Sequence, residues 1–393
     1  MKEDKKIVYV IGTNHFDPIW RRGFKKAFYY NNQKFVGASV IEEACITDWL
    51  KLCENSNVCF EVECSMVLRT YLRKHPDKLD QIKKLFKQNR FELLACGEVI
   101  PDTNMPGGET LVRNLVYGML WAKDTLGTFP TTGNLNDAFG VSAQLPQIFK
   151  GCGINWLTGL SYKFPMGDYW KGLDGTCIKI TPNMQYQWLG MAKYLSSGTY
   201  YRPCNVCNGE GCGACNQRGF EQSFKMGVVP DTKGLDLEKN GFGVIYVGGE
   251  ETLPSEKLPE YINEANNNQN NVLYKFGLHK EIGERYFKQQ IDNDKNCDAE
   301  KIAAEVEGNP IQTGCYVSRI KTKQEVRKLE NLAIAVEKLA TLAWRISGYY
   351  PSEQMLEIWR IISFSCFHDN ITGTHVDVGY EELMENYAAC SAL

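Results

Sequence analysis

The sequence predicts an α/β fold built on a parallel sheet or barrel, followed by a purely helical part. Strand-like and helix-like segments alternate with short loops along the first 290 residues, apart from an irregular stretch at about residues 190–240 that predicts a loop or small insertion. Such alternation is typical of parallel α/β folds. Three long segments with helical spacing follow, and they predict a three-helix bundle. A chain of 393 residues exceeds what one hydrophobic core usually supports, so we expect two domains, 1–290 and 291–393.

The α/β part begins with a strand, because "KKIVYVIG" is apolar and leads directly into the polar loop "TNHFD". A Pro near the start of one segment and a Gly at the end of two others are typical helix boundaries. The elements expected next are helix "GASVIEEACITDWLKLCEN", strand "NVCFEVECS", helix "HPDKLDQIKKLFKQNR", strand "FELLACG", helix "GGETLVRNLVYGMLWAKDTLG", strand "TTGNLND", helix "SAQLPQIFKGCG", strand "INWLTGL", strand "VIYVGGEE" and helix "EYINEANNNQNNV".

The helical part rests on three segments with apolar residues at helical spacing. They are "KTKQEVRKLENLAIAVEKLATLAWRIS", "SEQMLEIWRIISFSCFHDN" and "YEELMENYAACSAL". The connections between them are short, as in helical bundles.

Composition excludes some classes of partner. The net charge of −3 gives no reason to expect nucleic acid or an anionic membrane as a partner. No apolar run approaches the length of about 18 residues that a membrane span needs. The N-terminal segment lacks the apolar stretch of a signal peptide, so we expect a cytoplasmic location.

The 15 cysteines fall into two groups. An odd count without an export signal argues against a disulfide framework. Most cysteines are therefore expected to be small buried apolar residues, and examples are Cys45, Cys59, Cys96, Cys177 and Cys366.

Polar residues follow several predicted strands, where α/β folds place their chemistry. His15 and Asp17 are two residues apart and could place a nitrogen and a carboxylate oxygen on one metal ion such as Zn²⁺. Taken alone, the pair also fits a polar turn begun by Asp-Pro. His368 and Asp369 end an apolar helix and need a metal, a carboxylate or a core hydrogen bond. Asp137 by itself fits a turn as well as a site.

Four segments together resemble glycoside hydrolase family 38, the α-mannosidases, and they occur in the same order as in that family. They are "TNHFDPIW", "GEVIPDTNMPGGETLVRNLVYG", "NLNDAFGVSAQLPQIFKGCGI" and "FHDNITGTHVDVGYEEL". The resemblance extends from residue 7 to about residue 385. It implies a seven-stranded (β/α) barrel-like catalytic domain that acts on α-mannosides of glycans.

The resemblance also implies roles for individual residues. One catalytic divalent metal, normally zinc, would be bound by His15, Asp17, Asp137 and His368. The residue matching Asp137 is the nucleophile of a retaining mechanism with a covalent glycosyl-enzyme. Glu251 or Glu250 is the candidate acid/base, although the family usually has Asp there and a pair of solvated glutamates is the alternative. The expected substrate contacts are Trp20, Asp102, Tyr186 and Asp369, and the alternative role for Asp102 is to brace the metal-binding residues.

Two basic residues need separate mention. Arg113 matches a family position and is expected to be a structural ion-pair partner. The family's eukaryotic members have an Arg on the strand after the nucleophile, which "INWLTGLSYKF" lacks. Two alternatives follow: Lys163 substitutes for that Arg, or the sugar subsite differs.

A second metal site is predicted by the spacing Cys204-x2-Cys207-x4-Cys212-x2-Cys215. Two C-x2-C pairs fit a tetrahedral thiolate Zn²⁺ site, and the interspersed glycines permit the tight turns it needs. The segment, within residues 200–220, resembles the zinc knuckles of J-domain chaperones. A structural zinc is expected, disulfides or an iron–sulfur cluster being the alternatives.

These observations predict a retaining, metal-dependent α-mannosidase that hydrolyses glycans. The alternative is a non-catalytic or partner-dependent fragment of the same fold that binds metal and glycan. Family members continue with a large β-rich domain, so we expect that this chain needs that domain or a partner subunit.

Overall fold

The predicted first strand, β1 (Lys6–Gly12), lies at the centre of a parallel sheet. The computed structural model describes residues 5–158, 169–180, 202–221, 241–248, 252–268, 271–287 and 312–393, with short backbone stretches at 197–198, 224–225, 237 and 302–304. Residues Val8 to Ile11 are fully buried, which explains the nearly continuous apolar run of this strand.

Strands and helices alternate up to about residue 158, as predicted, whereas the described elements between residues 169 and 247 are mainly strands. The strands after β1 are β2 (Phe28–Tyr30), β3 (Gln33–Phe35), β4 (Phe60–Val62), β5 (Phe91–Leu93), β6 (Thr132–Asn134), β7 (Trp156–Thr158), β8 (Tyr169–Lys171), β9 (Cys177–Ile180), β10 (Ser197–Gly198), β11 (Arg202–Pro203), β12 (Phe220–Glu221), β13 (Phe224–Lys225), β14 (Phe242–Val247), β15 (Val272–Phe276) and β16 (Ile302–Ala304). The helices are α1 (Ala38–Asn55), α2 (Ser65–Lys74), α3 (Leu79–Lys87), α4 (Gly108–Leu126), α5 (Leu145–Gly151), α6 (Leu258–Asn268), α7 (His279–Ile282), α8 (Ile320–Ser347), α9 (Ser352–Ser365), α10 (His368–Thr372) and α11 (Asp377–Ala392). Single turns of 3-10 or π helix occupy Pro76–Lys78, Gly213–Cys215, Gly283–Phe287 and Thr313–Tyr316.

The described strands form a parallel sheet and a mixed sheet. In the first sheet β1 pairs in parallel with β14, β15 and β4, and β4 pairs with β5. In the second sheet β6, β7 and β9 are parallel, while β8 is antiparallel to β9. A single bridge between Ala95 and Gly133 links the two sheets.

The seven-stranded barrel is therefore not confirmed. Within the described residues no strand pairing closes the two sheets into a ring. Side chains nevertheless bring the far strands together, because Trp156 of β7 packs in one apolar cluster with Tyr9 of β1 and Phe242 of β14. The architecture that the described residues support is a mixed α/β fold.

The C-terminal helices share the core of the first sheet. Helices α8, α9 and α11 contact one another. Val326, Trp359 and Leu383 from these helices belong to the same apolar cluster as Val8 and Phe60 of the sheet. A separate three-helix bundle is thus not confirmed, and the boundary near residue 290 stays a prediction because residues 288–301 lie outside the described part.

A short hairpin, β2–β3, was not predicted from the sequence. Its turn residues Asn31 and Asn32 both have positive φ angles, 48° and 59°. Two such residues in succession are typical of a type I′ turn, for which Asn is favoured. The "YYNNQKF" pattern is the signal that could have revealed it.

The scattered cysteines agree with the prediction in most cases. Cys45, Cys59, Cys96 and Cys366 are free and buried. Cys177 is the exception, because it is half-buried and forms a disulfide. None of the described helices is long and apolar enough to cross a membrane.

A buried polar network lies between the strands. Glu61 of β4 forms an ion pair with Nδ1 of His279 at 2.7 Å, and Nε2 of His279 lies 2.5 Å from the Tyr246 hydroxyl. The Glu92 carboxylate accepts hydrogen bonds from the Thr132 hydroxyl, at 2.5 Å, and from a backbone N–H of α7, at 2.9 Å. Burial, and then the neighbouring Glu61 carboxylate, raise the pKa of Glu92 to about 7.

We predict that Glu92→Gln makes the free energy of unfolding less dependent on pH. Between pH 4.5 and pH 7 the folded protein keeps the Glu92 proton and the unfolded chain loses it. Stability therefore falls as the pH rises through that window, by at most about 3 kcal/mol from this group. Gln removes the titration and can still satisfy both hydrogen-bond partners. Denaturant unfolding across that window measures the effect, and exposed Glu54→Gln is the matched control. Equal pH slopes for wild type and Glu92→Gln would contradict the prediction.

Candidate metal centre and substrate site

The loop that carries His15 and Asp17 leaves β1 at the carboxyl end of the parallel sheet. The Thr13 N–H donates to the Val247 carbonyl of β14 at 2.8 Å, which holds the loop against the neighbouring strand. A side chain at Gly12 would lie 2.5 Å from the Cys59 carbonyl oxygen, so only glycine allows this close approach. The predicted strand-end position is thus observed.

His368 reaches the same place from the C-terminal helices. Its backbone N–H donates to the Ile100 carbonyl at 3.1 Å, and the Asp102 N–H donates to the Cys366 carbonyl at 3.1 Å. Pro101 and Phe367 form an antiparallel bridge between these hydrogen bonds. Two segments more than 260 residues apart are therefore joined through their backbones next to the site.

Three buried ligand atoms converge. Oδ1 of Asp17 lies 3.1 Å from Nε2 of His15 and 3.2 Å from Nε2 of His368. The two imidazole rings are stacked, with centroids 5.4 Å apart. Apart from one another, these three atoms have no hydrogen-bond partner among the described residues.

Asp137 completes the group. Its Oδ2 lies 3.8 Å from Nε2 of both histidines. The side chain of Asp137 is 19% exposed, whereas those of the other three residues are at most 2% exposed. The backbone of Asp137 has a φ of 60°, in the left-handed region that Asp tolerates better than most residues.

Hydrogen bonds at the far side of each imidazole orient the rings. Nδ1 of His15 lies 2.9 Å from Oε2 of Glu63, and Nδ1 of His368 lies 3.2 Å from the Ile100 carbonyl oxygen. Both partners are acceptors, so each Nδ1 carries a proton and each Nε2 faces the Asp17 carboxylate, where it can hold a proton or bind a metal ion. This arrangement is the usual support for metal-ligating histidines.

The electrostatics favour a cation. Burial disfavours a charged imidazole, yet the carboxylates of Glu63 and Asp17 outweigh burial and raise the pKa of His15 well above its ordinary value. Hydrogen bonding to Asp17 likewise outweighs burial and raises the pKa of His368. The site thus attracts positive charge, which protons or a metal ion can supply.

The donor set fits a divalent metal. Two imidazole nitrogens and two carboxylate oxygens are ligands that Zn²⁺ accepts. Ligands about 2.1 Å from a zinc ion are separated by about 3.4 Å in a tetrahedral site, and the observed separations of 3.1 to 3.8 Å bracket that value. His15, Asp17, His368 and Asp137 could therefore hold the predicted metal.

Asp102 lies next to the site as a brace. It is fully buried, and its oxygens accept the backbone N–H groups of Asn104, Met105 and Gly140 at 2.7 to 3.2 Å. Burial raises the pKa of Asp102 to about 6, although these hydrogen bonds lower it in part. Because both oxygens are occupied, Asp102 positions the loop after Asp137, and the structure gives no open face for the predicted substrate contact.

Asp369 and Trp20 are the other two predicted substrate contacts that lie within the described residues. Asp369 is buried and accepts a hydrogen bond from the Thr374 hydroxyl, and burial together with Asp17 raises the pKa of Asp369 to about 8. Trp20 is half-buried, and its carbonyl accepts the Val376 N–H at 2.8 Å. The Arg21 guanidinium covers one face of the Trp20 ring at 3.7 Å, so a sugar would have to stack on the other face.

Several predicted residues lie outside the described part of the chain: Glu250, Glu251, Tyr186 and Lys163. The residues that flank the acidic pair are described. Gly248 has a φ of 107°, and a side chain there would lie 1.8 Å from the Thr13 carbonyl oxygen. The Thr252 N–H donates to Oδ1 of Asn14 at 3.3 Å. Both flanking residues therefore contact the loop that carries His15.

Arg113 is found in a structural ion pair. Its guanidinium binds both oxygens of Glu337 on α8, at 2.8 and 2.7 Å, and lies 4.3 Å from the centre of a Trp359 ring. It thus links α4 to the C-terminal helices, which agrees with the structural role expected for it.

Sequence reasoning missed Glu63 and the pair Asn14–Glu42. Glu63 follows β4, at the same sheet edge as His15, and this strand-end position was the available signal. Nδ2 of Asn14 donates to the buried Glu42 carboxylate of α1 at 2.8 Å. That contact joins residues 28 positions apart on a loop and a helix, so no local pattern could indicate it.

The four predicted cysteines also converge. Sγ atoms of Cys204 and Cys212 lie 3.9 Å apart, as do those of Cys207 and Cys215, and those of Cys212 and Cys215 lie 3.8 Å apart. All four sulfurs are within 4.8 Å of one another. These distances are far longer than the S–S bond of about 2.05 Å, so none of the four is in a disulfide.

Comparison with known proteins agrees with this geometry. Residues 5–332 match the family model described as glycosyl hydrolases family 38 N-terminal domain, and residues 311–392 match the alpha mannosidase middle domain. Human alpha-mannosidase 2C1 is 25% identical over 399 residues, which cover 98% of this chain and 34% of that protein. The alpha-mannosidase of Saccharomyces cerevisiae is 24% identical over 95% of this chain and 32% of its own length.

A solved structure shares the fold. The crystal structure of an alpha-mannosidase from Enterococcus faecalis superposes with a TM-score of 0.71 and 17% identity, over 99% of this chain and 41% of that one. This chain spans about a third of the length of the curated relatives it matches. Since the first family model covers most of the chain, the protein belongs to glycosyl hydrolase family 38, and its residues match the N-terminal and middle domain models of such proteins.

Proposed function

We propose that this chain is the catalytic part of a metal-dependent, retaining α-mannosidase that acts on terminal α-mannosides of glycans. The observation that carries the proposal is the buried set His15, Asp17 and His368 with the one partly exposed carboxylate, Asp137, at its edge. The relatives named alpha-mannosidase support the substrate class. A cytoplasmic location stays a prediction from the sequence.

Asp137 is the proposed nucleophile because it is the member of the set that a substrate can reach. Its carboxylate would attack the anomeric carbon and form a glycosyl-enzyme, which water then hydrolyses with overall retention. Buried Asp17 cannot take this role, since its side chain is 2% exposed and faces the two histidines.

The other residues of the site prepare it for a cation and a sugar. A zinc or similar divalent ion would supply Lewis acidity to sugar hydroxyls. Glu63 and the Ile100 carbonyl keep both imidazoles in the tautomer that presents Nε2. Asp102 holds the loop after Asp137 through the Gly140 N–H, and the free face of Trp20 offers an apolar surface for a sugar ring.

The acid/base is proposed to be Glu251 or Glu250. Support comes from the flanking residues Gly248 and Thr252, which contact Thr13 and Asn14 beside the proposed metal ligands. A carboxyl group at such a position needs a pKa raised towards neutrality in order to protonate the leaving group.

This chain matches only about a third of the length of its relatives. Because the relatives are about three times longer, we propose that a further domain or a partner subunit completes the substrate site. Assays of the chain alone therefore use an activated aryl α-mannoside, whose good leaving group makes the fewest demands on a complete site.

We predict that Asp137 carries the covalent intermediate. Wild-type chain loaded with Zn²⁺ or Co²⁺ and treated with a fluorinated mannosyl fluoride should be labelled on the peptide that contains Asp137. Asp137→Asn should show no label and lower kcat by at least about a thousandfold. Exposed Asp124→Asn is the control and should behave as wild type. A label on another residue, or a product of inverted configuration, would overturn the mechanism.

We predict that Glu63→Gln weakens metal binding by about tenfold or more. The substitution keeps an acceptor for Nδ1 of His15 but removes the charge that makes the imidazole a strong donor to metal. Chelator competition at alkaline pH measures the affinity, because proton competition at His15 is smallest there. Glu54→Gln should bind metal as wild type does. Unchanged affinity in Glu63→Gln would argue against His15 as a ligand.

We predict that either Glu250→Gln or Glu251→Gln removes the carboxyl group that acts as general acid/base. Loss of a general acid/base should lower turnover about 10²- to 10⁴-fold. Added azide should then restore turnover in that variant alone and give α-mannosyl azide with retained configuration. If azide rescues neither variant, the acid/base lies elsewhere in the chain.

A further inference from the structure

We propose that Cys204, Cys207, Cys212 and Cys215 bind one Zn²⁺ and that this zinc unit, residues 202–221, positions the loop that carries His15, Asp17 and Trp20. The positioning part rests on the proposed mannosidase function of that loop. The zinc part stands on the geometry of the thiols.

The sulfur geometry matches a tetrahedral zinc site. A Zn–S distance of about 2.3 Å places thiolates about 3.8 Å apart, and the three closest Sγ pairs are separated by 3.8 to 3.9 Å. Backbone N–H groups are directed at two of the sulfurs: that of Gly211 at Cys207, at 3.2 Å, and those of Cys212 and Gly219 at Cys215, both at 3.3 Å. Such donors stabilise a thiolate, and four thiolates select a soft cation such as Zn²⁺ over Mg²⁺ or Ca²⁺.

The unit needs a metal because it has almost no core. Apart from Pro203 and the cysteines, Phe220 is its only buried apolar side chain. Six of its residues have φ between 49° and 100°, and three of these, Asn208, Asn216 and Gln217, are not glycine. Non-glycine residues in this conformation cost of order 1 kcal/mol each. A bound metal is the kind of constraint that holds such a segment folded.

The zinc unit docks on the hairpin β2–β3. The Lys34 N–H donates to the Asn208 carbonyl at 2.8 Å. Glu210 accepts hydrogen bonds from the Tyr29 hydroxyl at 2.8 Å and from Nζ of Lys34 at 2.9 Å. A side chain at Gly209 would lie 2.0 Å from the Lys34 carbonyl oxygen, so the two backbones are in direct contact.

The zinc unit also docks on helix α1. Arg218 forms a bidentate ion pair with Asp48, at 2.9 and 2.7 Å. Phe220 packs in one apolar cluster with Ile41 and Cys45 of α1 and with Leu253. Leu253 lies two residues after Glu251, so this cluster also anchors the chain that follows the acidic pair.

The hairpin β2–β3 and helix α1 in turn hold the loop that carries His15, Asp17 and Trp20, residues 13–24, called the catalytic loop below. The Arg22 guanidinium reaches the Val36 carbonyl at 3.4 Å, and backbone N–H groups at the start of α1 donate to the carbonyls of Gly23 and Phe24 at 2.9 Å. In the first turns of α1, Glu42 holds Asn14, the residue before His15. The contacts therefore run from the thiols through Phe220 and α1 to both ends of the catalytic loop.

The metal is tested first. Zinc-loaded wild-type chain should hold one metal ion more than Cys207→Ser/Cys212→Ser, which removes the two half-buried thiols. The control Cys152→Ser removes a free, half-buried cysteine elsewhere and should lose none. Cobalt-loaded wild type should show thiolate-to-cobalt charge-transfer absorption that the double variant lacks. Iron in the purified chain, or wild type without this absorption, would overturn the zinc site whether or not the double variant folds.

The positioning role is tested with Phe220→Ala, which keeps all four thiols. Its cobalt absorption should be unchanged, while hydrogen exchange in residues 13–45 should rise at least about tenfold and exchange in α9 should not. KM for an aryl α-mannoside should rise more than kcat falls, since the catalytic carboxylates remain. Unchanged exchange in residues 13–45 would overturn the positioning role. A different outcome separates the two proposals: Phe220→Ala exchanges faster, but the wild-type chain turns over no mannoside. That outcome would count against the proposed function, and the structural link between the zinc unit and the loop would stand.

Discussion

The site depends on three buried polar atoms that face one another and have no other hydrogen-bond partner in the part of the chain that the structure describes. Nε2 of His15 and Nε2 of His368 both lie within hydrogen-bond range of Oδ1 of Asp17, and all three atoms are buried. Buried polar atoms without partners are costly, so the surrounding structure has to hold them in place. The backbone bridge between Pro101 and Phe367 does this, because it joins the sheet to the C-terminal helices next to the site.

The shared apolar core explains why the helices do not stand apart as a separate unit. His368 must reach the carboxyl ends of β1 and β6 while remaining fully buried. Packing α8, α9 and α11 on the core of the first sheet provides that path without exposing the histidine. The ion pair of Arg113 with Glu337 strengthens the same interface at its rim.

The residues around the site form successive layers, and each layer holds a different part of the site in position. Glu63 and the Ile100 carbonyl set the tautomers of the two imidazoles. Asp102 sets the loop after Asp137, and Glu42 sets Asn14. The hairpin, α1 and the zinc unit form the outermost layer, which contacts the catalytic loop through backbone hydrogen bonds and one apolar cluster.

The sequence by itself determined which elements form and which residue types gather at strand ends. Apolar periodicity and helix boundaries are local, so β1, α4 with its C-terminal Gly127 and the long helices were predicted close to their observed bounds. The motifs, through their family resemblance, also predicted His15, Asp17, Asp137 and His368 as one set. Only the tertiary structure decided the contacts between distant segments: Glu63 on His15, Glu42 on Asn14, Asp102 as a brace rather than an open contact, and one core for sheet and helices. These depend on packing across many residues, which no local pattern records.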